Sequence, residues 1–143
     1  MRIDAVLRQK GQAVASIRPE ASVREALAEL ARHGIGALVV SSDGRTPAGM
    51  MSERDVVRAV DRSGADVLDS PVSSIMSTEL QTCSPEDEVE TLMAIMTRYR
   101  IRHVPVLKDG ELAGIVSIGD VVKNRMDELE EDRKALVDFI YAR

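Results

Sequence analysis

The sequence predicts a mixed α/β fold in which one β-α-β-β-α unit occurs twice. Apolar runs of strand length alternate with stretches of helical spacing, which is the pattern of an α/β chain. The whole series then starts again: Val89, Met93 and Met96 stand 66 residues beyond Val23, Leu27 and Leu30. A heptapeptide also recurs at the same place in both series, as Gly49-Met-Met-Ser-Glu-Arg-Asp55 and Gly114-Ile-Val-Ser-Ile-Gly-Asp120.

The elements follow in order. Ile3 to Leu7 reads as a short helical turn closed by Gly11. Val14 to Ile17 is a short strand. Ser22 and Glu25 form a capping box ahead of Ala26, Leu27, Leu30 and Ala31, and the helix stops near His33-Gly34. The run from Ile35 to Val40 is nearly all apolar and predicts a buried strand, turned at Asp43-Gly44 into a second strand over 47–51. A helix begins at Ser52 and carries Val56, Val57, Ala59 and Val60. The polar stretch 62–71 is a connector.

In the second copy, Val72 to Met76 matches Ile3 to Leu7, and Thr82-Cys-Ser-Pro85 matches Ser16-Ile-Arg-Pro19. Ile101 to Val106 matches Ile35 to Val40, and Leu112 to Val116 matches 47–51. The division is thus 2–70 for a first copy with its N-terminal lead segment, 71–126 for a second copy, and 127–143 for an extension. Two small units of this kind bury too little surface separately, so they are expected to pack together in pseudo-two-fold symmetry, with clefts between them. Towards the C-terminus, Val122, Met126, Leu129, Leu136 and Ile140 keep 4-3 spacing, interrupted by Arg133. This predicts one long amphipathic helix and a homodimer seam, against the simpler reading of a solvated helix along its own domain.

Composition narrows the function classes. A net charge of -5 argues against a general nucleic-acid binder, and an aromatic content of 2% leaves no platform for stacking bases. No apolar run reaches membrane-spanning length and no charged-then-apolar leader opens the chain, so no membrane role and a cytoplasmic location are expected. One cysteine, Cys83, allows no internal disulfide and reads as a small apolar strand residue. Two histidines far apart give a metal site little support, and no metal is required for the fold. No phosphate-binding loop of the nucleotide-hydrolase type and no nucleophile elbow is present, so the chain is not expected to be an enzyme.

Both heptapeptides place Ser-x-x-Asp where a strand opens into a helix. Two roles fit that spacing. The pair caps the helix, or it holds a polar ligand at a helix N-terminus, where free N–H groups and a partial positive charge suit phosphate. A carboxylate accepts two hydroxyl hydrogens at once, as a ribose cis-diol offers. Gly49 and Gly114 permit close backbone approach, and Gly119 adds a position without a side chain, where the first copy has Arg54.

The duplicated unit resembles the cystathionine β-synthase (CBS) domain, and the whole chain resembles a stand-alone prokaryotic tandem CBS pair. The resemblance rests on Ser16 to Pro19 and Thr82 to Pro85, on Arg100-Ile-Arg-His-Val-Pro-Val106, on the Asp-Gly hairpins and on both Gly-x-x-Ser-x-x-Asp junctions. It covers residues 2–126. It implies a non-catalytic regulatory module that senses an adenosine-containing ligand, AMP, ADP or ATP first and NAD or S-adenosylmethionine next, and passes the signal to an effector protein. It also implies ribose contacts from Asp55 and Asp120, phosphate-side hydroxyls from Ser52 and Ser117, and phosphate contacts from Arg102 and His103. Adjacent residues on a strand face opposite ways, so one of that basic pair should enter the cleft. The first copy has Gly36 and Ala37 there, so the clefts should differ. The alternative is a ligand-free dimerisation scaffold.

Overall fold

The computed structural model describes residues 1–11 and 13–142. The first copy comprises β1 (Ser16–Ile17), α2 (Val23–His33), β2 (Ala37–Val40), β3 (Gly49–Ser52) and α3 (Glu53–Ser63), preceded by α1 (Ile3–Lys10). Two short 3-10 turns, Ala65–Asp69 and Val72–Ser74, form the connector. The second copy comprises α4 (Val89–Tyr99), β4 (His103–Lys108), β5 (Glu111–Ser117) and α5 (Ile118–Tyr141).

Local chemistry sets the boundaries. The Ser22 hydroxyl accepts the Glu25 N–H at 3.0 Å and starts α2. Gly34 ends it in the left-handed conformation, with φ 63° and ψ 39°. The same position in the second copy is Arg100, which adopts φ 54° and ψ 44° at the end of α4, a conformation that side chains disfavour. In the first hairpin, Asp43 accepts the backbone N–H groups of Arg45 and Thr46, both at 2.8 Å. These bonds from Thr46 and Arg45, with the Ser41 hydroxyl, lower the Asp43 carboxyl to about 2.

The first sheet has the order β1-β2-β3, with β1 parallel and β3 antiparallel to β2. The second pairs β4 with β5 antiparallel, His103 opposite Ser117. The strand expected around Cys83 shrinks to one parallel bridge between Cys83 and Val106. The strand expected from residue 14 is likewise confined to Ser16–Ile17.

The cores show how the copies interlock. On α1, Ile3, Val6 and Leu7 lie on one face by their i, i+3, i+4 spacing. They pack with Val89, Leu92, Met96, Val104, Val106, Val116 and Val121, which is the core of the second copy. Conversely, Val72 joins Val23, Ala26, Leu30, Leu38, Val40, Met51 and Val56 in the first, with Ile75 and Met76 against it. Backbone bonds fix both crossings: Ile3 N–H donates to Asp87 O at 2.9 Å, and Val72 N–H to Ala21 O at 2.7 Å. Each copy's lead segment thus lies on the other copy. A third cluster forms the seam, where Ala37, Val39 and Met50 meet Leu112 and Ile115. Alternate residues of β2 feed the first core and the seam, so all four are buried.

The crossings also explain two glycines. A Cβ on Gly114 would stand 2.6 Å from Leu7 Cδ2, and one on Gly49 would stand 2.7 Å from Ser77 O and 2.8 Å from Met76 Sδ. The close backbone approach expected at these glycines is made by the lead segments of the protein itself.

The C-terminal helix is continuous over 24 residues. Val121 and Asn124 are buried near its start, while Met126, Leu129, Leu136, Phe139 and Ile140 are exposed. No helix among the described residues is long and apolar enough to cross a membrane.

Candidate functional site

Both junctions fold as full capping boxes. At the second, Asp120 N–H donates to Ser117 Oγ at 3.2 Å, while Ser117 N–H and hydroxyl donate to Asp120 Oδ2 at 2.8 and 2.9 Å. At the first, the corresponding distances for Ser52 and Asp55 are 3.3, 2.8 and 3.0 Å. Capping is therefore a role both pairs hold, and it leaves the second carboxylate oxygen, Oδ1, outside the box.

The helix N-termini are less open than the sequence suggests. Ile118 N–H donates to Arg102 O at 2.8 Å, and Glu53 N–H donates to Gly36 O at 3.0 Å. With the third N–H used by the serine, the middle donor of the first turn remains, on Gly119 in α5 and on Arg54 in α3. A Cβ on Gly119 would meet only Ser117 Oγ, at 3.6 Å, so the start of α5 is uncrowded on that side.

A cleft of about 330 Å³ lies in front of Asp120, within the range of small-molecule sites. One wall is Gly34, Ile35, Gly36 and Ala37 of the first copy; the other is His103, Ile115, Ser117 and Asp120 of the second. A shallower depression beside it shares residues 34–36 and is lined by Leu27, Leu30, Ala31 and Glu53. A Cβ on Gly36 would stand 3.4 Å from His103 Cε1, so the glycine makes room for the imidazole.

Of the basic pair, His103 enters the cleft and Arg102 is exposed outside its lining, as strand alternation requires. Burial first, and the Lys10 charge second, hold the His103 imidazole below its ordinary value, against the opposing carboxylates of Asp120 and Glu53. Ser52, Arg54 and Asp55 lie at the opposite junction, where Asp55 Oδ1 accepts the Ser77 hydroxyl at 3.5 Å. Arg54 is exposed.

Lys10 is the residue that sequence reasoning missed. Its ammonium donates to Asp120 Oδ2 at 2.6 Å and to Ile115 O at 2.7 Å. Burial pushes the Asp120 carboxyl up, but the Lys10 hydrogen bond, the Ser117 N–H and the Lys10 charge outweigh it, so it titrates below its ordinary value. In sequence Lys10 is a basic residue in the last turn of a helix, a routine partner for the dipole, 110 positions from Asp120. Only the crossing of α1 onto the second copy brings the two together.

Tyr99 is exposed, with the Arg98 guanidinium over its ring at 5.4 Å, and takes no part in the cleft. Cys83 is buried and its thiol lies 3.8 Å from Pro105 O. Burial, with a smaller push from Asp87, raises it to about 12. Among the described residues no group of three or more His, Cys, Asp or Glu is placed to hold a metal ion.

Comparison with known proteins agrees with this architecture. The profile of the CBS domain matches residues 11–62 and 72–127. The CBS domain-containing protein CBSX3, mitochondrial, of Arabidopsis thaliana is 39% identical over 123 residues, 83% of this chain and 60% of that protein, so the match spans about three fifths of that protein's length. The crystal structure of the CBS-domain containing protein ATU1752 from Agrobacterium tumefaciens superposes with a TM-score of 0.84 at 44% identity, covering 87% of this chain and 99% of that one. The CBS domain protein PAE2072 from Pyrobaculum aerophilum, solved in complex with AMP, has a TM-score of 0.74 at 34% identity, covering 84% and 89% of the two chains. The interlocked copies, the two strand-to-helix junctions and these matches together assign the chain to the CBS domain family, as a tandem pair.

Proposed function

We propose that this protein is a non-catalytic regulatory module that senses an adenosine-containing ligand in the cleft at Asp120 and passes the signal to an effector protein. The observation that carries this reading is the placing of one carboxylate, one ammonium and one imidazole on an inter-copy cleft at the start of α5. Asp120 is suited to ribose hydroxyls, Ser117 and the Gly119 N–H to a phosphate oxygen, and Ile35 offers apolar surface to a base. AMP, ADP and ATP are the leading ligands, ahead of NAD and S-adenosylmethionine; the AMP complex of the Pyrobaculum protein supports that order. The Asp55 junction, with Ser52 and Arg54, is the second and chemically different site. Arg102 is a rim contact for a longer phosphate chain. The setting is a reducing cytoplasm, consistent with a lone buried thiol.

Because the cleft walls come from different copies, a ligand filling it biases their relative packing by its difference in affinity between the two arrangements. The long helix α5, whose first turn holds Asp120, carries the change outward. Thermal denaturation with AMP, ATP, NAD and S-adenosylmethionine at millimolar concentration tests the proposal. Stabilisation by at least one adenosine ligand supports it, and no shift with any of them overturns it.

A second reading is favoured by the exposed apolar residues of α5. Leu129, Leu136 and Ile140 form part of a stripe that a second copy would cover, giving a homodimer. In the scaffold version of this reading, dimerisation is the whole function and the clefts bind nothing. The same thermal experiment separates scaffold from sensor.

A further inference from the structure

We propose that Lys10 sets the charge selectivity of the Asp120 cleft: its ammonium exchanges part of its hold on Asp120 for a ligand phosphate, so phosphorylated adenosine is favoured over adenosine itself. This inference rests on the adenosine reading above and adds to it the residue that discriminates by charge.

The geometry supplies the argument. Asp120 Oδ2 already accepts three donors, the Ser117 N–H, the Ser117 hydroxyl and the Lys10 ammonium. Oδ1 is open to one ribose hydroxyl, and a cis-diol that engages both carboxylate oxygens must displace one of these donors from Oδ2. The two serine donors belong to the helix cap and are fixed by the backbone. The Lys10 ammonium stands on a flexible four-carbon stem and is the donor free to move. Its backbone does not move with it, because Ile3, Val6 and Leu7 anchor α1 in the second core.

Displacement has unequal consequences for two ligands. Adenosine weakens the Lys10–Asp120 pair and offers the ammonium nothing charged in return. AMP brings a dianion to the same cleft and receives the displaced cation. The pair is about three-quarters shielded from solvent, with 30% and 23% of the two side chains exposed, so the exchange is not screened away as at an open surface. Burial and the Lys10 charge hold the His103 imidazole below its ordinary value, so the ammonium is the fixed cation of the cleft lining. Without Lys10 the cleft would present the phosphate with an uncompensated Asp120 carboxylate.

Isothermal titration of the full chain with adenosine and with AMP, for the wild type, Lys10→Gln and Lys10→Arg, tests this. The wild type should prefer AMP by about tenfold or more, the scale of one desolvated charge pair. Lys10→Gln should bring the two affinities within about threefold by weakening AMP while adenosine holds or improves, and Lys10→Arg should retain the preference. If Lys10→Gln does not fold, Lys10→Met, which keeps the aliphatic stem and removes the charge, should bring the two affinities together in the same way. An unchanged ratio in the charge-removing variant overturns the inference while leaving the adenosine reading in place. Failure of both ligands to bind the wild type overturns both.

Discussion

Leu7 closes on Gly114: a Cβ on the glycine would stand 2.6 Å from Leu7 Cδ2, though the two residues come from different ends of the chain. The pseudo-equivalent contact is Met76 and Ser77 on Gly49. Both alanine substitutions should destabilise by about 1–3 kcal/mol through overpacking. Gly49→Ala should cost more, because it meets a backbone carbonyl rather than the end of a side chain. Combined with Leu7→Ala, Gly114→Ala should cost less than the sum of the two single losses, because the shortened side chain makes room for the added Cβ. Urea denaturation of Gly49→Ala, Gly114→Ala, Leu7→Ala and the double variant measures this.

Asp120 joins a cap to a cleft, so its removal should have two readable effects. Asp120→Ala should cost about 0.5–2 kcal/mol of stability as a lost cap. It should also weaken AMP binding by about tenfold, equivalent to about 1.4 kcal/mol. Asp43→Ala provides the control. It removes the acceptor that organises the first hairpin, and should lower the denaturation midpoint while leaving AMP affinity unchanged.

His103 makes stability depend on pH between neutral and mildly acidic conditions. Its folded value lies below the ordinary one, so the unfolded chain binds the proton more readily. The His103 contribution is therefore fully present above the unfolded value of about 6.5 and is lost as pH falls from there towards the folded value. Urea midpoints at about pH 7.5 and pH 5 should fall further for the wild type than for His103→Gln.

Cys83 should be inert while the protein is folded. Burial raises its thiol to about 12, leaving little thiolate at neutral pH. Iodoacetamide should label it slowly in buffer and rapidly in urea. Rapid labelling without denaturant would contradict its position in the second core.

The stripe on α5 predicts oligomeric state. Leu136→Glu with Ile140→Glu should shift a dimer to monomer in sedimentation experiments and leave the thermal midpoint within a few degrees, because neither side chain contributes to the cores. Wild-type protein that sediments as a monomer would exclude the seam.

Much of the fold was legible because the signals are local and occur twice. Apolar periodicity places the helices within a residue or two of Val23–His33 and Val89–Tyr99. The Ser-x-x-Asp spacing locates both helix starts to the residue. Short strands were less legible. The segment around Cys83 has the apolar character of a strand but makes a single bridge, and no local pattern records how much of an edge its neighbour covers.

The sequence by itself determined the duplicated α/β unit, the two capped junctions and the inequality of the copies at Gly36-Ala37 and Arg102-His103, since each follows from spacing within one segment. Tertiary structure decided the rest. It chose which of Arg102 and His103 enters the cleft, because that depends on which face of β4 meets the other copy. It gave Gly49 and Gly114 to the crossing lead segments. It also set Lys10 on Asp120, 110 residues away, because packing of α1 into the second core is a property of the assembled surfaces and not of any local pattern.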